Sequence, residues 1–305
     1  YLRYATVDEM DGNVELAFLI DTVADLDFFV IDRSPIDQFH YESIDTISRR
    51  NYQVITTMAG DFGQIEYIDT DAEPGGHSYY YRIRSVDVCG TENDVSNFAR
   101  TIFLEGSADL DWYNRLKWTA YGDWFQGPTP SDKSGVEKYE LYRNIPVLDN
   151  NVYGLQDDAG LNLGYDDHVI GIAGDDGLFC YYVEAIEMTS SYNKFGLIDT
   201  ARSNILCLQQ KPRIFFPTAF RPTSEGINKT FAPVGAYIMD GSYTLNVYNR
   251  WGDIIFQSSD VDKQWDGTYQ GTEQDAPMGM YVYEVSFTGT DGESYKQKGT
   301  VLLAR

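Results

Sequence analysis

A repeat of roughly one hundred residues, built from short alternating runs, constrains this 305-residue chain more than any other feature. In its first copy HSYYYRIRSVD (77–87) leads to SNFARTIFLEG (96–106); in the second, GLFCYYVEAIE (177–187) leads to SNILCLQQ (203–210). Each pair reads as two antiparallel strands that close a module, and both second strands are reached through Ser-Asn. Earlier runs also correspond. NVELAFLID (13–21) matches RLKWTAY (115–121), FFVIDRS (28–34) matches KYELYRN (138–144), and YQVITTMAG (52–60) is matched with DHVIGIAG (167–174). Around seven short strands per copy, separated by turn residues, fit two facing sheets. No stretch carries a sustained 3.6-residue apolar period, so little helix is expected. The 24 Tyr and 16 Phe suit pleated, half-buried surfaces.

The order of these runs resembles that of fibronectin type III modules, in which a tryptophan on the second strand commonly fills the core. Trp118 occupies that place, and Phe18 lies in the same region of the first copy. The resemblance implies a fold and says little about chemistry. The second copy carries an insertion, YGDWFQGPTPSDKSGVE (121–137). Its Trp124 and Phe125 have two readings: a ligand-gripping loop, or aromatics folded back over the module edge, which is how loops of this length usually behave.

Three cysteines are present, Cys89, Cys180 and Cys207. Cys180 and Cys207 fall on the two closing strands of the second copy. Facing residues of an antiparallel pair have a constant index sum, and the midpoint here lies between Asn193 and Lys194, inside the turn-like TSSYNK (189–194). A disulfide is therefore expected, which implies an oxidising compartment. Aligning the copies puts Tyr80 in the place of Cys180 and Arg100 in that of Cys207, so both cysteines are missing together from the first copy. Cys89, at a hairpin tip, is either free or paired upstream of Tyr1.

After Pro212 the character changes. Residues 212–305 hold 8 basic and 11 acidic residues, a net of −3 out of a total of −24, so the acidity belongs to the first two-thirds. Five blocks follow in order: FFPTAFRPTSEGINKTF (215–231), YTLNVYNRWGDIIFQS (243–258), WDGTYQG (265–271), APMGMYVYEV (276–285) and KGTVLLAR (298–305). Asn249-Arg250-Trp251-Gly252 reads as a tight turn, Trp265-Asp266-Gly267 as a second turn whose Trp plugs a core, and the last strand as an accessible edge suited to strand addition. Together these blocks resemble the gliding-motility-associated C-terminal domain of Bacteroidetes, the type B sorting domain of the type IX secretion system. The residues that carry the resemblance are Phe216, Pro217, Ala219, Phe220, Gly226, Asn228, Asn249, Arg250, Trp251, Gly252, Trp265, Asp266, Gly267, Gly279, Tyr281, Tyr283, Lys298, Gly299 and Arg305. One departure stands in the loop Thr223–Lys229, where the family's Asn-Gly-Asp-Gly element has lost its acid and Lys229 has arrived; that weakens any case for a cation there. The resemblance implies export through the periplasm to the cell surface or medium, with the type IX translocon and a PorP/SprF-like outer-membrane barrel as partners.

The expected fold class is all-β: tandem immunoglobulin/fibronectin III-like β-sandwiches, three in a row, at 1–106, 107–211 and 212–305. A charge of −24 argues against nucleic acid or an anionic membrane as partner. No apolar run reaches the length of a membrane span. The chain starts at Tyr1 without a leader pattern, which reads as a mature form or a fragment. Three histidines, His40, His77 and His168, have no ligand partner at metal spacing, and no catalytic motif is present, so neither an enzyme nor a metal site is expected. No cofactor is expected; the acidic stretches 69–76, 174–177 and 258–267 leave calcium as a secondary reading, with turns and solvated charge the simpler one. The function expected is that of a secretion cargo's C-terminal part, with two sandwiches as spacers of an adhesin-like surface protein. A carbohydrate- or protein-binding module, or the tail of a secreted enzyme with its catalytic domain upstream, are the alternatives.

Overall fold

The computed structural model describes residues 1–54, 56–57, 62–109, 111–122, 124–125, 133–148, 152–172, 176–189 and 198–305, the side chains of 56, 57, 93, 94, 125, 133, 134 and 227 excepted. It is built of strands, as the alternating runs require. The chain forms two compact units. One comprises Tyr1–Ser107, Asn114–Asp167 and Phe179–Leu208; the other comprises Ala108–Tyr113, His168–Leu178 and Gln209–Arg305.

The first sandwich contains β1 (Leu2–Val7), β2 (Val14–Asp21), β3 (Leu26–Ser34), β4 (Glu42–Ser48), β5 (Thr56–Thr57), β6 (Phe62–Asp69), β7 (Tyr80–Asp87), β8 (Glu92–Val95) and β9 (Ala99–Arg100). One sheet has the order β1-β2-β6-β5; the other is β4-β3-β7-β8, with β9 also on β7. Alternate residues of both sheets meet between them. Leu16, Phe18 and Ile20 of β2 face Phe29 and Ile31 of β3 and Tyr81 and Ile83 of β7 in one buried cluster.

The second sandwich contains β10 (Leu104–Ala108), β11 (Tyr113–Trp118), β12 (Trp124–Phe125), β13 (Lys133–Ser134), β14 (Val136–Asn144), β15 (Gly154–Gly160), β16 (Gly164–His168), β17 (Leu178–Glu187), β18 (Thr200–Arg202) and β19 (Leu206–Gln209). Its sheets are β10-β11-β16 and β15-β14-β17-β18, with β19 on β17, which repeats the first topology. Trp118 and Phe18 are both buried at their equivalent places. One correspondence is corrected. The strand equivalent to β16, which includes Asp167 and His168, is β6 and not the run 52–60, because β6 and β16 are the strands hydrogen-bonded to β2 and β11. The sequence alignment matched hydrophobic runs, whereas the shared position is marked by the buried acids Asp69 and Asp167.

The Ser-Asn repeat has a mechanical role. Asn97 accepts from the Leu2 N–H at 3.0 Å and donates to the Leu2 carbonyl at 2.8 Å, so one side chain stands in for a strand neighbour. Asn204 does the same to Leu104, at 2.7 and 3.0 Å. The preceding Ser96 and Ser203 accept from the N–H groups of Ile83 and Val183. Each module's last segment is thereby stitched to its first strand and to the penultimate strand, satisfying backbone groups that a chain leaving a sheet would otherwise bury unpaired.

A second repeat was not visible in the alternating runs. Arg33, Asp69 and Tyr81 form one buried cluster, and Arg143, Asp167 and Tyr181 form its copy. In each, the Arg holds both carboxylate oxygens and the Tyr hydroxyl donates to one, at 2.9 and 2.8 Å. Burial, then the neighbouring carboxylate, pushes both hydroxyls well above the ordinary tyrosine range, so they stay donors.

The disulfide expected from the closing strands is present, with the Cys180 and Cys207 Cα atoms 4.0 Å apart. In the first sandwich the aligned residues Tyr80 and Arg100 are register partners, with the guanidinium 5.0 Å from the ring centroid. A covalent staple in one copy is a cation–π contact in the other. The turn at Asn193 and Lys194 lies outside the described residues. Cys89 is exposed and free.

Within the first unit the two sandwiches share buried contacts. Arg3 of β1 forms a bidentate pair with Asp199 and also donates to Gln64. The Arg202 N–H donates to the Thr6 hydroxyl at 2.8 Å, and the Ala5 N–H to the Tyr121 hydroxyl at 3.2 Å. Burial pushes the Asp199 carboxyl up, against the pull of Arg3.

The remaining strands are β20 (Arg213–Phe215), β21 (Ala219–Phe220), β22 (Val234–Ala236), β23 (Thr244–Tyr248), β24 (Ile254–Ser258), β25 (Gly279–Thr288) and β26 (Ser294–Leu303). They form a five-stranded sheet, β21-β26-β25-β23-β24, and a two-stranded one, β20-β22. The expectation of an open terminal edge is corrected for the last residues of the strand. β21 runs parallel to the end of β26, with Ala219 opposite Leu302 and Phe220 opposite Leu303. The Leu302 and Ala304 N–H groups donate to Thr218 and Phe220, so the chain's last residues are already paired on both sides.

Two outcomes test this account. The Cys180–Cys207 bond spans 27 residues, a loop whose closure restricts the unfolded chain by about 3–4 kcal/mol. Calorimetry with and without reductant is expected to show that loss, and a Cys180→Ser/Cys207→Ser variant is expected to be insensitive to reductant. Asn204→Ala, which strands both Leu104 backbone groups, is expected to lower the urea stability of the first unit by about 1–3 kcal/mol.

Candidate functional site

The residues that set 212–305 apart fold around aromatic rings. Trp265, fully buried, lies 5.1 Å from Phe220 and 5.0 Å from Tyr281, centroid to centroid. Phe216 stacks on Tyr283 at 4.4 Å, and Phe231 touches Phe216, Phe220, Trp265 and Tyr283. The Trp265 indole N–H, which would be costly to bury alone, donates to the Thr268 carbonyl at 2.8 Å. Every residue of this core cluster lies between Ile214 and Leu303. The segment therefore has a core of its own. Phe231 stands in the first sequence block but was not among the candidate site residues; its signal was its place at the end of that block.

Several motif residues hold turns and strands. The Asn249 side-chain oxygen accepts from the N–H groups of Trp251 and Asp253, each at 2.9 Å, and Gly252 closes the turn at φ +89°, where a side chain would be strained. Asp266 accepts from the Thr268 N–H and hydroxyl, and the Gly267 carbonyl accepts from the Ala276 N–H. Gly226 precedes a single 3-10 turn, Ile227–Lys229, and the Asn228 carbonyl accepts from the Arg221 N–H. Pro217 and Ala219 lead into β21, and Gly279 opens β25. Gly299 faces Tyr283 across the β25–β26 ladder, and a Cβ there would collide with the Tyr283 hydroxyl and ring. The ring lies over the glycine, so no larger residue fits without moving it.

The terminal Arg305 is a latch. It pairs with Asp275 and donates to the Ala276 carbonyl at 3.1 Å, which ties the chain's end to the segment just after the Trp265 turn. Its hydrogen bond holds the Asp275 carboxyl below its usual range. Lys298 pairs with Glu284 at 2.6 Å, alongside Lys296 at 2.8 Å. Asp275 had no signal in the sequence beyond proximity to a motif block.

One pair among the motif residues is left over. Trp251 is 70% exposed, and the Arg250 guanidinium stacks 4.4 Å from its ring centroid. The turn that carries them is held by its neighbours Asn249 and Gly252, so the pair itself is displayed.

The residues of the alternative ligand-gripping reading behave otherwise. Trp124 is fully buried and packs 4.3 Å from Tyr121, which leaves it no face for a ligand. The Phe125 side chain, and most of the loop around it, lie outside the described residues. Among the described residues, no group of three or more His, Cys, Asp or Glu is placed to hold a metal ion. Asp69 of the first acidic stretch is buried against Arg33. Part of the second, 174–175, lies outside the described residues. In the third, Asp260 and Asp266 cap backbone turns.

Comparison with known proteins bears on the last unit. Residues 214–303 match the family model of the CHU_C Type IX secretion signal domain, a span that contains every member of the aromatic core cluster. No curated protein sequence matches the chain. Similar solved structures include a tetra-tandem repeat from the extending region of a large adhesion protein, 13% identical over 98% of this chain and 72% of that one, with a TM-score of 0.25. Another is dimeric latent PorU from Porphyromonas gingivalis, 10% identical over 98% of this chain and 32% of that one, TM-score 0.22. A third is the BSP domain of a biofilm associated protein, 7% identical over 99% and 66%, TM-score 0.20. Scores this low carry no argument about architecture or role.

The division between built-in and displayed motif residues predicts opposite stabilities. Trp265→Ala is expected to lower the unfolding free energy of the C-terminal unit by about 3–5 kcal/mol, whereas Trp251→Ala should stay within about 0.5 kcal/mol of wild type. Denaturant unfolding measures both, and equal losses would contradict the division.

Proposed function

We propose that this chain, whose residues 214–303 match a type IX secretion signal domain, is the C-terminal part of a type IX cargo. In this reading the last unit is the export signal. It passes through the periplasm as a folded body and is read by the type IX translocon together with a PorP/SprF-like outer-membrane barrel. The two sandwiches are spacer and presentation modules of an adhesin-like surface protein, and no catalytic role is assigned to these residues.

The observation that carries the reading is that every residue of the buried aromatic cluster lies inside the matched span. A signal recognised by shape has to hold its shape, and a cluster of rings drawn from the matched span itself supports that. The disulfide supports the route, because such bonds persist outside the cytosol. The buried pair between Arg3 and Asp199 supports the spacer role, since it couples the two sandwiches into one unit instead of leaving them as beads on a linker.

The test is removal of residues 212–305 in a host that carries the system, followed by fractionation. The truncated product is expected in the periplasm and the intact chain at the surface or in the medium. Delivery of the truncated chain at the intact level would sink the proposal.

A further inference from the structure

The solvent-facing side of the five-stranded sheet is divided. Cross-strand register places Ile254, Tyr248, Val282 and Thr300 in one row, and Met280 beside Leu302 and Ala219 in the next. These side chains alternate with the buried ones, so they share the outer face. Met280, Ile254, Val282 and Leu302 are all substantially exposed, from 56% down to 40%. The other half of the same face is polar, with Gln257, Asn246, Glu284 and Lys298 in register, followed by Ser286 and Lys296. The turn joining β23 to β24 leaves the sheet at the apolar end, between Tyr248 and Ile254, and carries Arg250 and Trp251.

We propose that this apolar half-face, with Trp251 and Arg250 at its margin, is the surface by which a protein of the export machinery grips the sorting unit. The inference rests on the export reading above. Three observations point to a protein occupant. Phe216, Phe220, Phe231, Trp265, Tyr281 and Tyr283 are engaged in the core, whereas Trp251 is displayed at 70% exposure. Exposed apolar rows closed by a Trp–Arg pair have the composition of an interface centre, where Trp, Tyr and Arg dominate binding energy. Charge gives the partner's character. The half-face contains no acidic side chain in its rows; in the turn at its margin Asp253 is tied to the Asn249 side-chain amide at 2.9 Å, whereas the Arg250 guanidinium stacks on Trp251. The complementary surface is apolar at its centre and acidic opposite Arg250.

The experiment uses the full chain in a host with the type IX system and reads the ratio of surface-plus-medium to periplasmic product. Trp251→Ala/Met280→Thr/Val282→Thr removes apolar contact while keeping residues that suit a strand. It is expected to lower delivery by about tenfold or more, while the purified variant melts within about 2 °C of wild type. Arg250→Glu, a single exposed change, is expected to reduce delivery as well, and it keeps the test decisive if the triple variant fails to fold. Glu284→Gln/Lys296→Gln on the polar half is expected to be delivered normally. Normal delivery of a folded triple variant and of Arg250→Glu, with the tail deletion still retained, would overturn the surface and leave the export reading intact. Delivery of the tail deletion would remove both. Sedimentation of the wild-type chain distinguishes another occupant: a dimer that the triple variant dissolves would make a second copy the partner and overturn the proposal.

Discussion

Packing of the Trp265 ring against Phe220, Phe231 and Tyr281 is the contact on which the C-terminal unit depends. One face of a single five-stranded sheet has to be covered, and the two-stranded sheet is too small to cover it alone. The cover comes instead from loops. The segment after β21 brings Phe231, and the turn before β25 brings Trp265; the two are joined by backbone hydrogen bonds of 2.8 and 2.9 Å. Large rings suit this arrangement, because each buries much apolar area from an irregular backbone and asks for only one polar partner. The Arg305 latch completes it by fastening the end of the chain to the segment that follows the Trp265 turn.

The sandwiches show how one topology tolerates different chemistry at one position. Tyr80 with Arg100, and Cys180 with Cys207, join the same two strands. The asparagine clamps and the Arg–Asp–Tyr clusters, in contrast, are kept in both copies. Their duty is specific: each satisfies buried polar groups whose loss would leave an uncompensated donor, acceptor or charge. A strand-joining contact on the outside of a sheet has many solutions; a buried carboxylate that must be neutralised has few.

Much of this was legible from residue order. Strand runs, the closing pairs, the disulfide and the core role of Trp265 all follow from alternation, spacing and ring size, which are local properties of the chain. The Arg33–Asp69–Tyr81 cluster was not legible, because its hydrogen-bonded pairs are 36 and 12 residues apart and each member looks like an ordinary polar residue at a strand end. Asp69 in particular stands in an acidic stretch that reads as solvated, although its carboxylate is buried. The terminal strand was misread for a related reason. Position at the end of the chain suggested an open edge, whereas a parallel partner from residues 219–220 pairs with its end, and parallel pairing across eighty residues has no local signature.

The same limit explains why the displayed surface of the sorting unit was hidden in plain view. GMYVYEVSF alternates, and its inward residues Tyr281, Tyr283 and Val285 announce a core. Its outward residues Met280 and Val282 are also apolar, which alone means little, since isolated exposed apolar residues are common. They gain meaning only through register. Val282 stands opposite Tyr248, Tyr248 opposite Ile254, and Met280 opposite Leu302, so residues from four strands converge on one half of one face. A fold that needed those residues for stability would have buried them. Instead it arrays them on one half of the sheet, with an exposed tryptophan in the braced turn at that end.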